Sequence, residues 1–119
     1  MEWSAECCGY PIVVQAWRAG GDLQVLITGG VCRHIGSVSV AWQTKEGVQV
    51  QDTTLPGHKD GIVGSRFAQC LAEKLGCTVA VSCGIHYDGP TPRDLEHIVA
   101  SADRLLEQMV DTMEKETGR

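Results

Sequence analysis

Hydrophobic and polar residues alternate with a period of two through the first half of the chain, and apolar residues recur at helical spacing through much of the second half. The alternation predicts four strands, over residues 10–18, 23–28, 37–42 and 48–51. Each of these strands has one apolar and one polar side, which indicates an antiparallel sheet covered on one face. We expect residues 1–9 to be flexible or to lie along an edge of that sheet.

The second half of the chain predicts two helices with a strand between them. A stripe from Val63 to Leu75, widened by Ile62, repeats every four residues, and Gly76 has the position of a C′ glycine. The apolar run over residues 77–83 predicts a central strand covered on both faces. Thr91 then has the position of an N-cap, before a long amphipathic stripe that starts at Leu95 and makes the last helix, from Pro92 to about Lys115.

The predicted order of elements is therefore β-β-β-β-α-β-α. It defines an α+β class protein, with a mostly antiparallel sheet and two helices packed on one face. A chain of 119 residues is long enough for one core, so we expect a single domain over residues 1–119.

Composition and charge narrow the classes of function. A net charge of −5 argues against a nucleic-acid partner, whose phosphates bind Lys and Arg, and no apolar run is long enough to span a membrane. The acidic first residues lack the basic and apolar regions of a signal peptide, so we expect a cytoplasmic protein with reduced cysteines. The adjacent Cys7 and Cys8 predict either a soft-metal or redox site or a frayed segment. Exposed sheet edges, with Trp17 and Trp42, predict a homodimer or higher oligomer.

Three of the four histidines, His34, His58 and His86, lie at turns marked by Gly or Pro. His86 is followed by Tyr87 and Asp88 where the central strand ends, an edge at which ligands bind in α/β layers. Three imidazoles could together hold a metal ion, with Asp88 near them, if the fold brings them together. The alternative is that each histidine is structural and caps a turn.

A second hypothesis concerns the start of the first helix, from Gly57 to Gly61. The unpaired N–H groups of a helix start attract anions, and Lys59 adds a full positive charge, so this segment predicts a phosphate site. In the alternative interpretation Asp60 caps the helix and Lys59 is only solvated. The sequence contains no nucleophile, nucleotide or paired-carboxylate motif, and we assign no catalytic residue.

Three segments resemble one known family. They are Gly30-Val31-Cys32-Arg33-His34-Ile35-Gly36, Leu55-Pro56-Gly57-His58-Lys59-Asp60 and Gly84-Ile85-His86-Tyr87-Asp88-x-x-Thr91. In this order they resemble the LpdD-like prenylated flavin chaperones, small D-subunit proteins that accompany UbiD-type decarboxylases of the gallate and hydroxybenzoate type. The resemblance extends from about Gly20 to Met109. The element order is also similar to that of small proteasome-assembly chaperones, which form dimers.

The resemblance implies a non-enzymatic binding protein for prenylated FMN or FMN that serves a UbiD-type decarboxylase. The residues expected to bind the cofactor are His34, Gly57, His58, Lys59, Asp60, His86 and Tyr87. Those expected to hold a divalent metal ion, if one takes part, are His34, His58, His86 and Asp88. Two alternatives stay open: a small metalloenzyme with the same histidines, and an assembly or interaction protein with structural histidines.

Overall fold

The computed structural model describes residues 1–57 and 61–117. Its six strands and two helices follow in the order β1 (Glu2–Cys7), β2 (Tyr10–Ala19), β3 (Asp22–Gly30), β4 (Ser37–Thr44), β5 (Gly47–Thr54), α1 (Gly61–Leu75), β6 (Val79–His86) and α2 (Pro92–Thr117). All six strands form one sheet in the spatial order β1-β2-β3-β6-β4-β5. The predicted α+β class, with two helices on one face of a mostly antiparallel sheet, is confirmed.

Strand β1 is the element that the predicted order lacks. Residues 2–7 lie along the edge of the sheet and pair antiparallel with β2. Trp3, Ala5 and Cys7 point toward the helices and are the more buried residues of this strand, so it carries the same period-two signal as the others. The loop of Cys8 and Gly9 has φ values of 52° and 86°, the two positive values that a type I′ hairpin requires.

Strand β6 lies in the middle of the sheet, parallel to β3 and antiparallel to β4. The expectation that it is covered on both faces is wrong. Val79, Val81 and Cys83 are buried beneath the helices, whereas Ala80 and Ser82 on the opposite side are only half-buried. The run of apolar residues in β6 is therefore explained by the central position of this strand in the sheet, although only one of its faces is covered by helices.

In strand β4 the polar side faces the helices and the apolar side faces away from them, the reverse of what its hydrophobic pattern predicts. Its polar residues Ser37 and Ser39 face α1 and are 1% and 0% exposed, whereas Val38 and Val40 lie on the side away from the helices. Small side chains are needed there because α1 approaches closely: Gly64 lies directly over both serines. Neither serine hydroxyl has a hydrogen-bond partner among the described residues.

The helix boundaries agree with the signals in the sequence. Thr91 and Asp94 form a capping box at the start of α2, with Asp94 N to Thr91 Oγ1 at 3.1 Å and Thr91 N to Asp94 Oδ2 at 3.0 Å. Gly76 follows α1 and donates from its N–H to the Ala72 carbonyl. The helices bury apolar side chains against the sheet, among them Phe67, Leu71, Leu105, Met109 and Met113. Neither helix in the described ranges has the apolar length that a membrane span requires.

Candidate functional site

A cleft of about 380 Å³ opens at the carboxyl end of β6, between the first turns of α1 and α2. The parallel pair β3 and β6 ends here side by side, with Gly30 opposite His86. The cleft is lined by His34, Gly57, Ile62, Val63, Ile85, His86, Tyr87, Pro90, Leu95, Ile98 and Val99. All three motif segments of the sequence therefore contribute residues to one cleft.

The loop of residues 31–36 connects β3 to β4 by crossing the end of β6, and we call it the crossing loop. Backbone hydrogen bonds of 2.8 Å hold both of its ends, from Val31 N to His86 O and from Gly36 N to Cys83 O. A Cβ atom at Gly84 would overlap the carbonyl of His34, and one at Gly30 would overlap the carbonyl of His86. Glycine at positions 30 and 84 is thus what lets the crossing loop lie directly on β6.

The crossing loop brings two of the three predicted imidazoles together. The rings of His34 and His86 lie 6.3 Å apart between centroids, with an angle of 78° between their planes. The Nδ1 atom of His34 is 3.0 Å from the Cys32 carbonyl, which only accepts, so Nδ1 carries a proton and donates to it. The Nε2 atom of His86 lies 3.0 Å from Asp88 Oδ1 and donates to it. Asp88 thus orients His86, the role that a carboxylate has beside a metal-bound histidine.

Tyr87 has a different position from the two histidines. Its hydroxyl donates to the Cys7 carbonyl at 2.8 Å and lies 3.2 Å from the Tyr10 carbonyl, so it joins the end of β6 to the β1–β2 hairpin. Burial of the phenol, together with Cys7 beside it, raises the pKa of Tyr87 well above its usual range. The Tyr87 ring lines the cleft while its hydroxyl is occupied, which disfavours this tyrosine as a proton donor.

The remaining predicted site residues, His58, Lys59 and Asp60, lie outside the described residues. Their neighbours Gly57 and Ile62 both line the cleft. Within residues 1–57 and 61–117, no three side chains of His, Cys, Asp or Glu are arranged to hold a metal ion. His97 is exposed on α2 and does not line the cleft.

Sequence reasoning missed the apolar lining of the cleft. The hydrophobic pattern places Ile62 and Leu95 in the core stripes of the two helices, but they are 77% and 50% exposed and border the cleft. Val99 is likewise half-exposed there. Their positions near the N-termini of α1 and α2 are the feature of the sequence that could have identified these residues. Both helices begin beside the end of β6, where the sheet no longer covers their apolar side chains.

The adjacent cysteines are not arranged as a reactive pair. Cys8 occupies the hairpin turn, with its Sγ 3.7 Å from that of Cys7 and 3.8 Å from Asp94 Oδ1. Loss of solvent around the thiol, together with these two neighbours, raises the pKa of Cys8 to about 11. The thiol therefore stays protonated near neutral pH, which disfavours the soft-metal or redox interpretation. No disulfide joins any of the six cysteines, all of which lie in the described ranges.

The fold places the chain in the class of small α+β domains in which two helices cover one face of a single sheet. One chain of the crystal structure of a novel chaperone complex for yeast 20S proteasome assembly superimposes with a TM-score of 0.54, and the match covers 98% of this chain and 96% of that one. The sequence identity is 13%, so this likeness shows the fold alone.

The sequence comparisons then give the family. The profile of the prenylated flavin chaperone LpdD-like domain matches residues 6–114, and the chain belongs to this family. Protein LpdD of Lactiplantibacillus plantarum is 25% identical over 114 residues, which cover 94% of this chain and 84% of LpdD. The family resemblance that the three motifs indicated is confirmed.

Proposed function

We propose that the chain binds prenylated FMN, or FMN itself, in the cleft and hands the cofactor to a UbiD-type decarboxylase. The observation that carries this proposal is the convergence of the three family-like segments on one cleft, through His34, Gly57 and His86. The family match over residues 6–114 supports a chaperone role.

The chemistry of the cleft suits a flat ring system with a polar edge. Val63, Ile85 and Ile98 offer apolar surface, and the imidazoles of His34 and His86 lie at one side of it. Its volume of about 380 Å³ is near the lower end of the ~300–1,000 Å³ typical of ligand sites. A cleft of this size takes part of a prenylated flavin, so we assign to it the ring system and leave the ribityl phosphate outside.

The phosphate of the cofactor is assigned to the segment that contains His58 and Lys59. This part of the proposal comes from the sequence, in which these residues stand between Gly57, a cleft residue, and Gly61, where α1 begins. A helix start and an ammonium group both favour a dianionic phosphate.

A divalent metal ion could join the protein to the flavin. The chain would supply Nε2 of His34 and, with Asp88 accepting from Nε2 of His86, the Nδ1 atom of His86. Two nitrogen ligands are fewer than a closed protein site requires, so other ligands would come from the cofactor and from His58. The metal would supply charge that holds an electron-rich ring edge.

The binding proposal is tested by titrating the protein with FMN, with riboflavin and, without oxygen, with prenylated FMN, and following flavin fluorescence with and without Mn²⁺ or Mg²⁺. We expect saturable binding at one flavin per chain. His34→Ala and His86→Ala should each weaken binding about tenfold or more, because each removes a polar contact at the ring edge.

The control is His97→Ala, which removes an exposed histidine outside the cleft and should leave binding unchanged. Lys59→Ala should weaken FMN about tenfold while leaving riboflavin, which lacks the phosphate, unaffected. If none of the three flavins binds with or without metal, the proposal is wrong. Delivery is tested separately, by adding the loaded protein to an apo-decarboxylase and measuring the activity gained relative to free cofactor.

A further inference from the structure

Three branched aliphatic side chains form the exposed part of the cleft lining on the two helices, and we call them the aliphatic wall. They are Ile62 on α1 and Leu95 and Val99 on α2. Leu95 and Val99 are four residues apart, so they lie side by side along α2. Ile62 is the second residue of α1 and lines the same cleft. The aliphatic wall therefore joins the first turns of both helices in one apolar surface.

The hydrophobic core does not require the aliphatic wall. On α2 the buried positions near its start are Ile98 and Ala102, and on α1 the first fully buried large side chain is Phe67. Leu95 and Val99 lie beside these positions and stay exposed to solvent, where a polar residue would be at least as favourable for the fold. Exposed apolar side chains that converge on a concave site are typical of ligand binding. The aliphatic wall thus indicates a role in binding.

The polar groups of the cleft lie on the strand side and not on the aliphatic wall. His34 and His86 supply two imidazoles, and the hydroxyl of Tyr87 is already bonded to the Cys7 carbonyl. Among the described residues, no acidic or basic side chain other than these histidines lines the cleft. The three side chains of the wall have no hydrogen-bond donor or acceptor, so a polar group placed against them would lose water without gaining a partner. The wall therefore favours an aliphatic part of a ligand.

The shape of these side chains suits a branched group better than a flat ring. Aromatic rings pair favourably with other aromatic rings, by stacking or edge to face, but Tyr87 is the one aromatic residue of the described lining. Prenylation adds a branched aliphatic isoprenoid unit to the isoalloxazine of FMN and leaves the phosphate unchanged. The two flavins thus share the groups assigned to the imidazoles and to the phosphate segment, and they differ in a group that only the aliphatic wall can recognise.

We propose that the aliphatic wall contacts the isoprenoid unit of prenylated FMN and makes the cleft select this flavin over FMN. The inference rests on the proposed function, which leaves the choice between the two flavins open. Contact with the wall removes apolar surface of both the ligand and the protein from water. One methylene in a closed hydrophobic pocket changes affinity by ~10–200-fold, and a wall that stays partly open gives less for each carbon. We therefore expect a preference of roughly 10–100-fold for the whole unit.

The test compares the dissociation constants of FMN and prenylated FMN, measured without oxygen and with the same metal ion, in the wild-type protein and in wall variants. Leu95→Asn and Val99→Thr keep the approximate size of each side chain and place polar atoms against the ligand. Each should weaken prenylated FMN by about fivefold or more relative to FMN, because the isoprenoid unit then meets a group that retains its water. The ratio of the two constants should therefore fall in both variants.

The matched control is Val38→Thr, the same substitution as Val99→Thr on the side of the sheet away from the helices. The two valines are 41% and 45% exposed, so the change in surface is comparable, and Val38→Thr should keep the wild-type ratio. Circular dichroism checks that each variant is folded. A second measurement uses methyl-labelled wild-type protein saturated with prenylated FMN, in which Ile62 and Leu95 should show nuclear Overhauser effects to the isoprenoid methyl groups.

The outcomes separate this inference from the proposed function. Equal affinity of the wild-type protein for the two flavins would overturn the inference while flavin binding stands. A ratio that Leu95→Asn and Val99→Thr leave unchanged, or that Val38→Thr lowers equally, would do the same, as would the absence of the expected Overhauser effects. If neither flavin binds the wild-type protein, the proposed function itself is wrong and the inference fails with it.

Discussion

Tyr87 and Asp88 are adjacent to His86, yet their side chains act on the protein itself. The Tyr87 hydroxyl donates to the Cys7 carbonyl, and Asp88 accepts from the imidazole of His86. The sequence shows that an imidazole, a phenol and a carboxylate follow one another, but their partners depend on contacts 80 residues away along the chain, such as Tyr87 with Cys7. At the scale of residues, the kinds of chemistry were predictable and the assignment of roles was not.

The Tyr87 hydrogen bond gives a prediction about stability. Tyr87→Phe should lower the free energy of unfolding by about 1 kcal/mol near neutral pH, because the Cys7 carbonyl loses its donor. Tyr10→Phe, which changes the exposed tyrosine packed edge-on against it, is the control and should have little effect. Urea unfolding measures both. Equal losses in the two variants would show that the phenol of Tyr87 has no special role.

The same residue gives a pH dependence. The unfolded phenol loses its proton near pH 10.0, whereas burial raises the pKa of Tyr87 in the folded chain. Above pH 10 the unfolded state therefore binds fewer protons than the folded state, and this contribution to stability falls as the pH rises. The decline between pH 9 and 11 should be steeper in the wild-type protein than in Tyr87→Phe. Parallel stability curves would contradict the prediction.

The crossing loop is the element that turns separated motifs into a site. The sequence marks it with glycines on both sides of His34, but its path over β6 follows only from the insertion of β6 between β3 and β4. Period-two alternation predicted four of the six strands and helical spacing predicted both helices. The alternating pattern did not show which side of β4 faces the helices. That side carries serines instead of valines because α1 approaches β4 closely at Gly64 and leaves room only for small side chains.

A substitution at Gly84 tests the crossing loop directly. Gly84→Ala should lower the free energy of unfolding by roughly 1–3 kcal/mol and weaken flavin binding, because the new methyl group overlaps the His34 carbonyl and displaces the loop from His86. Gly21→Ala is the control, since its Cβ would meet no atom within 4 Å. Thermal unfolding and flavin titration measure the two effects. Unchanged stability in Gly84→Ala would mean that the loop does not rest on β6.

The start of α2 gives a further prediction at the scale of elements. Thr91→Ala removes the side chain that accepts from Asp94 N, and should cost about 1 kcal/mol of stability. Thr91→Ser keeps the hydroxyl and should be nearly neutral. The hydrogen bonds from Thr91 lower the pKa of Asp94, so this carboxylate contributes stability above its unfolded pKa, near 3.8, and loses it as the pH falls further. Chemical denaturation at pH 7 and pH 3 compares the variants.

At the scale of the whole molecule, the sheet separates two surfaces. One end, near the helix starts, carries the cleft and its exposed apolar rim of Ile62, Leu95 and Val99, and the opposite broad face carries Trp17 and Val38. The α+β class and the family were both accessible from the sequence, because they depend on periodicity and on short motifs. The sequence did not show which apolar residues lie in the core, which line the cleft and which lie on the side of the sheet away from the helices, because a hydrophobic pattern does not distinguish these three positions.

The anchoring of the crossing loop has a consequence for the energetics of capture. Its two backbone hydrogen bonds and the close contacts at Gly30 and Gly84 fix the relative placement of His34 and His86 before any guest arrives. A ligand that binds in the cleft would then lose its own conformational and translational entropy, whereas the crossing loop would lose little. Association would be faster, and less of the binding free energy would be offset by ordering of the loop. Under the proposed function, transfer of the flavin would therefore depend on tighter binding by the decarboxylase rather than on unfolding of the crossing loop.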